Sequence, residues 1–114
     1  PAAAAWAARQ LRELGGGRAA VIGTSPQLRE AAQALEEAGV EYGIGTSGID
    51  FPIALLQPHQ AKGLEFDAVA LVEPADFAPA GDSAAVGDLY VALTRATARL
   101  GVFESRDSLV TAWL

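Results

Sequence analysis

The stretch Phe51-Pro-Ile-Ala-Leu-Leu-Gln-Pro-His-Gln-Ala-Lys-Gly-Leu-Glu-Phe-Asp-Ala-Val-Ala-Leu-Val72 contains two apolar runs separated by a polar loop. The runs, 51–56 and 68–72, do not alternate between apolar and polar residues. Pro52 lies near the start of the first run, where a strand tolerates proline. Unbroken apolar runs of this length are typical of parallel strands covered on both faces. The stretch therefore predicts an α/β fold with a mostly parallel sheet flanked by helices.

Upstream and downstream segments extend this pattern. Gly15–Gly17 form a predicted turn, Ser25 is a candidate helix N-cap followed by Pro26, and Gly39 is a natural helix stop. We expect helices over 2–14, from Ser25 to Gly39, over 83–98, and through Leu109, Trp113 and Leu114. The apolar residues of the first helix are Trp6, Leu11 and Leu14. Strands are expected over 19–22, 40–44, 51–56, 68–72 and 100–103.

The predicted helix 83–98 places an arginine away from its apolar face. Leu89, Leu93, Ala96 and Leu100 recur at helical spacing and form the expected core stripe, whereas Arg95 shares a different face with Arg99. A surface arginine is usually solvated or paired with an acid such as Asp88. Arg99 is interpreted as an ordinary surface charge.

Composition limits the possible functions. The chain has 114 residues, a formal net charge of -6 and no cysteine, with a single histidine and Lys62 as its only lysine. One domain is expected over 1–114. The acidic balance argues against an autonomous nucleic-acid binder, and the absence of cysteine excludes disulfides. No run approaches the ~20 apolar residues of a membrane-spanning helix, so the expected compartment is cytoplasmic, with no membrane partner.

Two short motifs carry the functional information. Gln60-Ala-Lys-Gly-Leu-Glu-Phe-Asp67 is a polar loop with a glycine beside the lysine, and Leu89-Tyr-Val-Ala-Leu-Thr-Arg-Ala96 follows some thirty positions later. The segment 59–67 resembles motif V of superfamily 1 helicases of the UvrD and Rep type, and 90–96 resembles their motif VI. The wording of 57–67 together with Val72-Glu-Pro74 is most similar to the HelD or helicase IV branch. The resemblance covers residues 53–104.

The resemblance implies a RecA-like three-layer domain, the second (2A) motor domain of a longer helicase. Arg95 then takes the place of the arginine finger that meets the γ-phosphate of ATP. Glu65 takes the place of the residue that contacts the nucleotide sugar, beside Gly63, and both are implied cofactor-binding positions together with Arg95. His59 and Lys62 are implied to couple nucleotide state to the nucleic acid.

The same resemblance implies the cofactor and the partners. The sequence lacks the G-x-x-x-x-G-K-[ST] pattern that cradles phosphates, so the isolated domain is expected to be inactive. ATP, with its Mg²⁺, would be held by an N-terminal RecA-like domain of the same parent chain. The implied nucleic acid is single-stranded, with DNA favoured, and RNA polymerase is a further implied partner.

Two departures from the family pattern keep a second function open. Gly23-Thr-Ser25 stands where a motif IV arginine is expected, and Ala84-Ala-Val-Gly-Asp88 stands where relatives carry an acid and arginines. The alternative is a non-catalytic 2A-like module that docks on RNA polymerase or a repair partner.

A third class is a small dinucleotide-binding protein, since Gly43-Ile-Gly-Thr-Ser-Gly48 is a literal G-x-G-x-x-G. That fingerprint must open a helix, whereas the residues that follow it are strand-like and contain Pro52. We therefore expect no pyrophosphate site there.

The motif interpretation also predicts that Lys62, Glu65 and Arg95 lie exposed at one sheet edge, at the carboxyl ends of strands or on the helix beside them.

Overall fold

A computed structural model describes residues 2–46, 50–73, 94–104 and 108–113. The strands are β1 (Ala19–Ile22), β2 (Gly43–Ile44), β3 (Ile53–Leu56), β4 (Phe66–Val72), β5 (Ala96–Glu104) and β6 (Ser108–Trp113). The α-helices are α1 (Ala2–Leu14) and α2 (Ser25–Ala38), and a 3-10 helix spans Pro58–Ala61.

The strands form one sheet in the order β2-β3-β1-β4-β5-β6. The first five strands in this order pair in parallel, and β6 pairs antiparallel with β5. The prediction of an α/β fold with a mostly parallel sheet flanked by helices is confirmed. The unbroken apolar runs are explained by burial, because every residue of β1 and β3 is buried.

The helices α1 and α2 pack on the same face of the sheet. Trp6 and Ala7 of α1 and Leu35 of α2 join Val21 and Leu55 in one hydrophobic cluster. Small side chains form much of the buried face of α1, which lets the helix approach the strands closely. Of the three apolar residues predicted to define this helix, Trp6 is buried, Leu11 is half-buried and Leu14 is exposed.

A second cluster fills the opposite face of the sheet. Ile22, Leu56 and Leu71 contact Ala61 of the 3-10 helix there. Among the described residues, the crossing segment between β3 and β4 covers this face. Of the helix predicted over 83–98, residues 83–93 lie outside the described residues.

The termini of the predicted elements are mostly confirmed, with local corrections. The bounds of α1 and β1 match the sequence prediction, and Gly39 ends α2 in the left-handed region with φ 71°. The N-cap of α2 is Thr24, not Ser25, and the Thr24 amide donates a hydrogen bond to Gln27 Oε1 at 2.9 Å. The strand expected over 40–44 is shorter, Gly43–Ile44, and the strand expected over 51–56 begins at Ile53.

Two helix predictions at the C-terminal end are wrong. Ala96 and Leu100 belong to β5, so the predicted helix does not continue through residues 96–98. Leu109 and Trp113 lie on β6 rather than on a C-terminal helix. Neither α1 nor α2 is long and apolar enough to cross a membrane.

Candidate functional site

The segment 57–65 runs from the side of the sheet where the strands have their carboxyl ends to the side where they have their amino ends. It leaves the carboxyl end of β3, where the amide of Gln57 donates to Gln60 Oε1 at 2.8 Å and Gln57 Nε2 donates to Ser25 Oγ at 3.0 Å. It then reaches the amino end of β4. A parallel connection requires such a crossing, because both strands run in the same direction. The loop is therefore anchored at its start to the N-terminus of α2.

A buried residue and a glycine shape the middle of this crossing segment. Ala61 is fully buried, and the amide of Leu64 donates to its carbonyl at 3.0 Å. Gly63 has φ 81°, and a Cβ there would meet nothing within 4 Å. The glycine is therefore required for its left-handed backbone rather than for close approach. His59, Lys62 and Glu65 are exposed.

Arg95 lies next to this segment, immediately before β5. Its carbonyl accepts a hydrogen bond of 2.9 Å from the amide of Phe66. Its guanidinium donates through Nη1 to the Leu64 carbonyl at 3.2 Å and through Nη2 to Thr94 Oγ1 at 3.1 Å. The structure thus brings Arg95 together with the Gly63–Glu65 part of the first motif, and Arg95 is half-buried.

The prediction that Glu65 and Arg95 lie at the carboxyl ends of strands is wrong. Glu65 precedes β4 and Arg95 precedes β5, so both lie at amino ends of strands and not at carboxyl ends. Arg95 also precedes a strand instead of lying on a helix. The physical reason is the crossing itself, since a loop that begins at the carboxyl end of β3 must deliver its last residues to the opposite edge. Lys62 and Glu65 are exposed as expected.

A shallow cleft of about 200 Å³ lies at this amino-end edge. It is lined by Arg18, Glu65, Phe66, Asp67 and Thr97. Thr97 Oγ1 donates to the Phe66 carbonyl at 3.2 Å. Arg18 and Thr97 were not predicted as site residues, because nothing in their local sequence pattern distinguishes them from surface residues. Asp67 ends the first motif and was a detectable signal.

A larger cavity, about 540 Å³, lies between α2 and the edge strand β2. Its lining includes Leu28, Tyr42 and Ile44 but none of the five predicted site residues. Tyr42 donates a short hydrogen bond to Glu36, and this bond, with burial and the negative charge of Glu36, raises the pKa of Tyr42. The smaller cleft is the candidate site, because Glu65 lines it and Arg95 contacts the adjacent Leu64 carbonyl.

Within the described residues, the G-x-G-x-x-G segment does not form the strand-turn-helix arrangement of a dinucleotide-binding site. Gly43 and Ile44 lie on β2, and residues 50–52 lead directly into β3. No α-helix begins among residues 43–46 and 50–56, so the described part of this segment lacks the helix that the fingerprint must open.

Arg99, interpreted as an ordinary surface charge, forms a surface ion pair with α1. Its Nη1 donates to Gln10 Oε1 at 2.5 Å and forms an ion pair with Glu13 Oε1 at 2.7 Å. These bonds join β5 to α1.

In the part of the chain that the structure describes, no cluster of three or more His, Asp or Glu side chains could hold a metal ion.

In this mixed α/β domain, Arg18 and the exposed carboxylate of Glu65 line the cleft, and Arg95 contacts the neighbouring Leu64 carbonyl. Residues 52–103 match the family described as UvrD-like helicase C-terminal domain. This segment contains the crossing loop and Arg95, and the match indicates a helicase-related function. No curated protein matches the chain.

Proposed function

We propose that this chain is the C-terminal RecA-like domain, spanning residues 1–114, of a superfamily 1 nucleic-acid-dependent ATPase. The observation that carries the proposal is the family match over 52–103, which includes both motifs in one segment. The contact between Arg95 and the Leu64 carbonyl supports it, because this contact joins one residue from each motif although the two residues are 31 positions apart in sequence. Membership of the HelD or helicase IV branch is part of this proposal.

Arg95 is the proposed catalytic residue. A planar guanidinium with five N–H donors suits the charge that develops on a transferred phosphoryl group. Arg95 already occupies two of its nitrogens with Leu64 and Thr94. To reach a phosphate held by another domain, it would exchange one of these acceptors for a phosphate oxygen, which is a stronger, charge-assisted partner.

The remaining roles follow the crossing segment. Glu65 is the proposed contact to the nucleotide sugar, and its exposed carboxylate can accept hydrogen bonds from hydroxyl groups. Gly63 gives the loop the backbone conformation that presents Glu65. His59 and Lys62, both exposed, are proposed to contact the nucleic-acid backbone and to couple it to the nucleotide state.

The proposed partners complete the site. An N-terminal RecA-like domain of the parent chain would bind ATP and its Mg²⁺ through a Walker A loop, which this sequence lacks. The nucleic acid is proposed to be single-stranded DNA, held between the two domains, since a net charge of -6 does not favour binding by this domain alone. A cytoplasmic location and an association with RNA polymerase belong to the same proposal.

The test is Arg95→Ala in the parent protein. Because the residue acts on charge that develops in the transition state, the nucleic-acid-stimulated ATPase rate should fall by ~10³-fold while nucleotide affinity changes much less. Steady-state hydrolysis and equilibrium nucleotide binding measure the two effects. Near-normal hydrolysis in the variant would refute the role of Arg95.

Arg99→Ala is the matched control. It removes another arginine of the same region, but one that bonds to α1 rather than to the crossing loop. The control should lose some stability and keep its ATPase. If both variants lose activity in proportion to their loss of stability, the effect of Arg95→Ala is one of folding.

A non-catalytic docking module is the second candidate. It is favoured by the sequence Gly23-Thr-Ser25 at the carboxyl end of β1, because none of these residues is a lysine or an arginine. Ser25 instead accepts a hydrogen bond from Gln57. A parent sequence without a Walker A motif upstream would favour the module, whereas an intact one would favour the motor.

A further inference from the structure

The main chain of Arg18 lies opposite an irregularity in β4. Its carbonyl accepts two hydrogen bonds, from the amides of Asp67 at 2.9 Å and Ala68 at 3.3 Å. The register between β4 and β5 shifts between Phe66 and Ala68. Two residues facing one partner residue are the mark of a β-bulge, which redirects the side chains beside it. The bulge lets Phe66 share a face of the sheet with Val69, three residues further on.

The Arg18 side chain holds the start of this bulge. Its Nη2 donates to the Glu65 carbonyl at 3.3 Å, and its guanidinium carbon lies 5.4 Å from the centre of the Phe66 ring. The amide of Arg18 donates to Asp67 Oδ2 at 2.8 Å. A side chain at Gly17 would collide with the Asp67 carboxylate. Arg18 therefore contacts three consecutive residues, Glu65, Phe66 and Asp67.

Two arginines hold two consecutive carbonyls of the crossing segment. Arg95 donates to Leu64 from the β5 side, and Arg18 donates to Glu65 from the β1 side. The Glu65 side chain lies exposed between these two supports, beside the cleft that Arg18 lines. A carboxylate on an exposed loop keeps a fixed position only if its main chain is held.

We propose that Arg18 is a positioning residue that fixes the main chain at Glu65 and so presents the Glu65 carboxylate to a bound nucleotide. The nucleotide part rests on the proposed function. The positioning part rests on the contacts of Arg18 alone, and the two parts are tested separately.

The first test uses the only lysine of the chain. A protease that cuts after lysine has one site in this sequence, Lys62–Gly63, four residues before the bulge begins at Phe66. Arg18→Met keeps the aliphatic stem but removes the donors and the charge. Cleavage in native buffer should be roughly 10-fold faster, because the loop opens more often when its hydrogen bond and ring contact are lost.

Arg12→Met is the matched control, since Arg12 is exposed on α1 and, among the described residues, does not share the hydrogen bond of Arg18 to the crossing segment. Its cleavage rate should equal that of the wild type. Trp6 fluorescence reports whether each variant is folded, and Arg18→Gln replaces Arg18→Met if the latter unfolds. Equal cleavage of the Arg18 variant and the wild type would overturn the proposal.

The second test is a double-mutant cycle in the parent ATPase. Arg18→Met should raise KM for ATP roughly 10-fold with little change in kcat, and it should raise KM no further when Glu65→Ala is already present. Arg18→Lys, which keeps a donor and a positive charge, should restore most of the affinity. Additive effects in the cycle would show that Arg18 does not act through Glu65.

The two tests separate the possible failures. Faster cleavage with no ATPase in the parent protein would refute the proposed function and leave the contact of Arg18 with the loop established. Faster cleavage with an active parent protein and an unchanged KM would overturn the positioning role, because Arg18 would then only stabilise the fold.

Discussion

Arg95 is held immediately before β5 by one acceptor next to it in sequence and one from the crossing segment. The sequence pattern directed Arg95 away from the core because it lay off an apolar helical stripe. In the structure the residue precedes β5, and hydrogen bonds to Leu64 and Thr94 hold its side chain at the sheet edge. The position of the guanidinium therefore depends on an acceptor from another part of the chain, the Leu64 carbonyl.

The contacts of Arg95 predict a measurable but small role in stability. Arg95→Ala removes two side-chain hydrogen bonds from a half-buried residue, so the free energy of unfolding should fall by about 1 kcal/mol. Leu100→Ala is the reference, because Leu100 is 2% exposed and its truncation should cost ~2 to 5 kcal/mol. Urea denaturation of both variants compares the two values. A loss in Arg95→Ala as large as that in Leu100→Ala would indicate a core role.

Tyr42 predicts a stability change at alkaline pH. The hydrogen bond to Glu36, followed by burial and the Glu36 charge, raises the pKa of Tyr42 above its ordinary value of 10.0. An acid with a raised pKa in the folded state stabilises the fold below its unfolded pKa, and this contribution is lost as pH rises through the folded pKa. The wild type should lose more stability than Tyr42→Phe between about pH 9 and about pH 11. Parallel losses in thermal unfolding across this interval would contradict the assignment.

At the scale of elements, the region 94–104 explains why a helix was expected where a strand forms. Ala96, Leu100 and Val102 share one face of β5. Residues four apart lie on one face of a helix and also on one face of a strand, because four is close to the helical period and a multiple of two. The pair Ala96 and Leu100 therefore fitted both structures. Leu109 and Trp113, also four apart, were misassigned for the same reason.

The contact between α1 and β5 predicts a suppressor pair. A Cβ at Gly101 would lie 3.0 Å from Trp6 Cζ2 and 3.1 Å from Phe103 Cε1, and the Trp6 and Phe103 rings already pack edge to face at 5.7 Å. Gly101→Ala should therefore destabilise the domain by ~1 to 3 kcal/mol through overpacking.

Trp6→Phe removes the indole atoms that a methyl group at position 101 would meet. The double variant should lose less stability than the sum of the two single losses, as denaturant unfolding can measure. Strict additivity would show that the two sites do not share this contact.

At the scale of the whole molecule, the proposed function gives the chain one side of a phosphate site shared with another domain. It carries Arg95 and Glu65 but no phosphate-cradling glycine loop of the Walker type. The purified 114-residue chain should therefore unfold cooperatively and show no nucleic-acid-stimulated ATPase. Phosphate release at micromolar protein, with the Arg95→Ala chain as the control for contaminating activity, measures this. Turnover that disappears in the variant chain would contradict a site shared between two domains.

The sequence by itself determined the elements whose signals are local. Apolar runs without alternation identified the buried strands, and glycines with left-handed backbone marked the end of α2 and the turn in the crossing segment. The two motifs also identified the segment that matches the helicase family. Each of these signals acts through a few neighbouring residues, so it can be read without knowing the rest of the fold.

Only the tertiary structure decided which residues meet. The sheet order places β1 beside β4 and thereby brings Arg18 to Asp67, 49 residues away in sequence. The crossing direction of 57–65 moves Glu65 to the amino-end edge, and strand pairing replaces the expected helix around Ala96. These outcomes depend on hydrogen bonds and packing between distant segments, and the free energy of such contacts is absent from any local pattern.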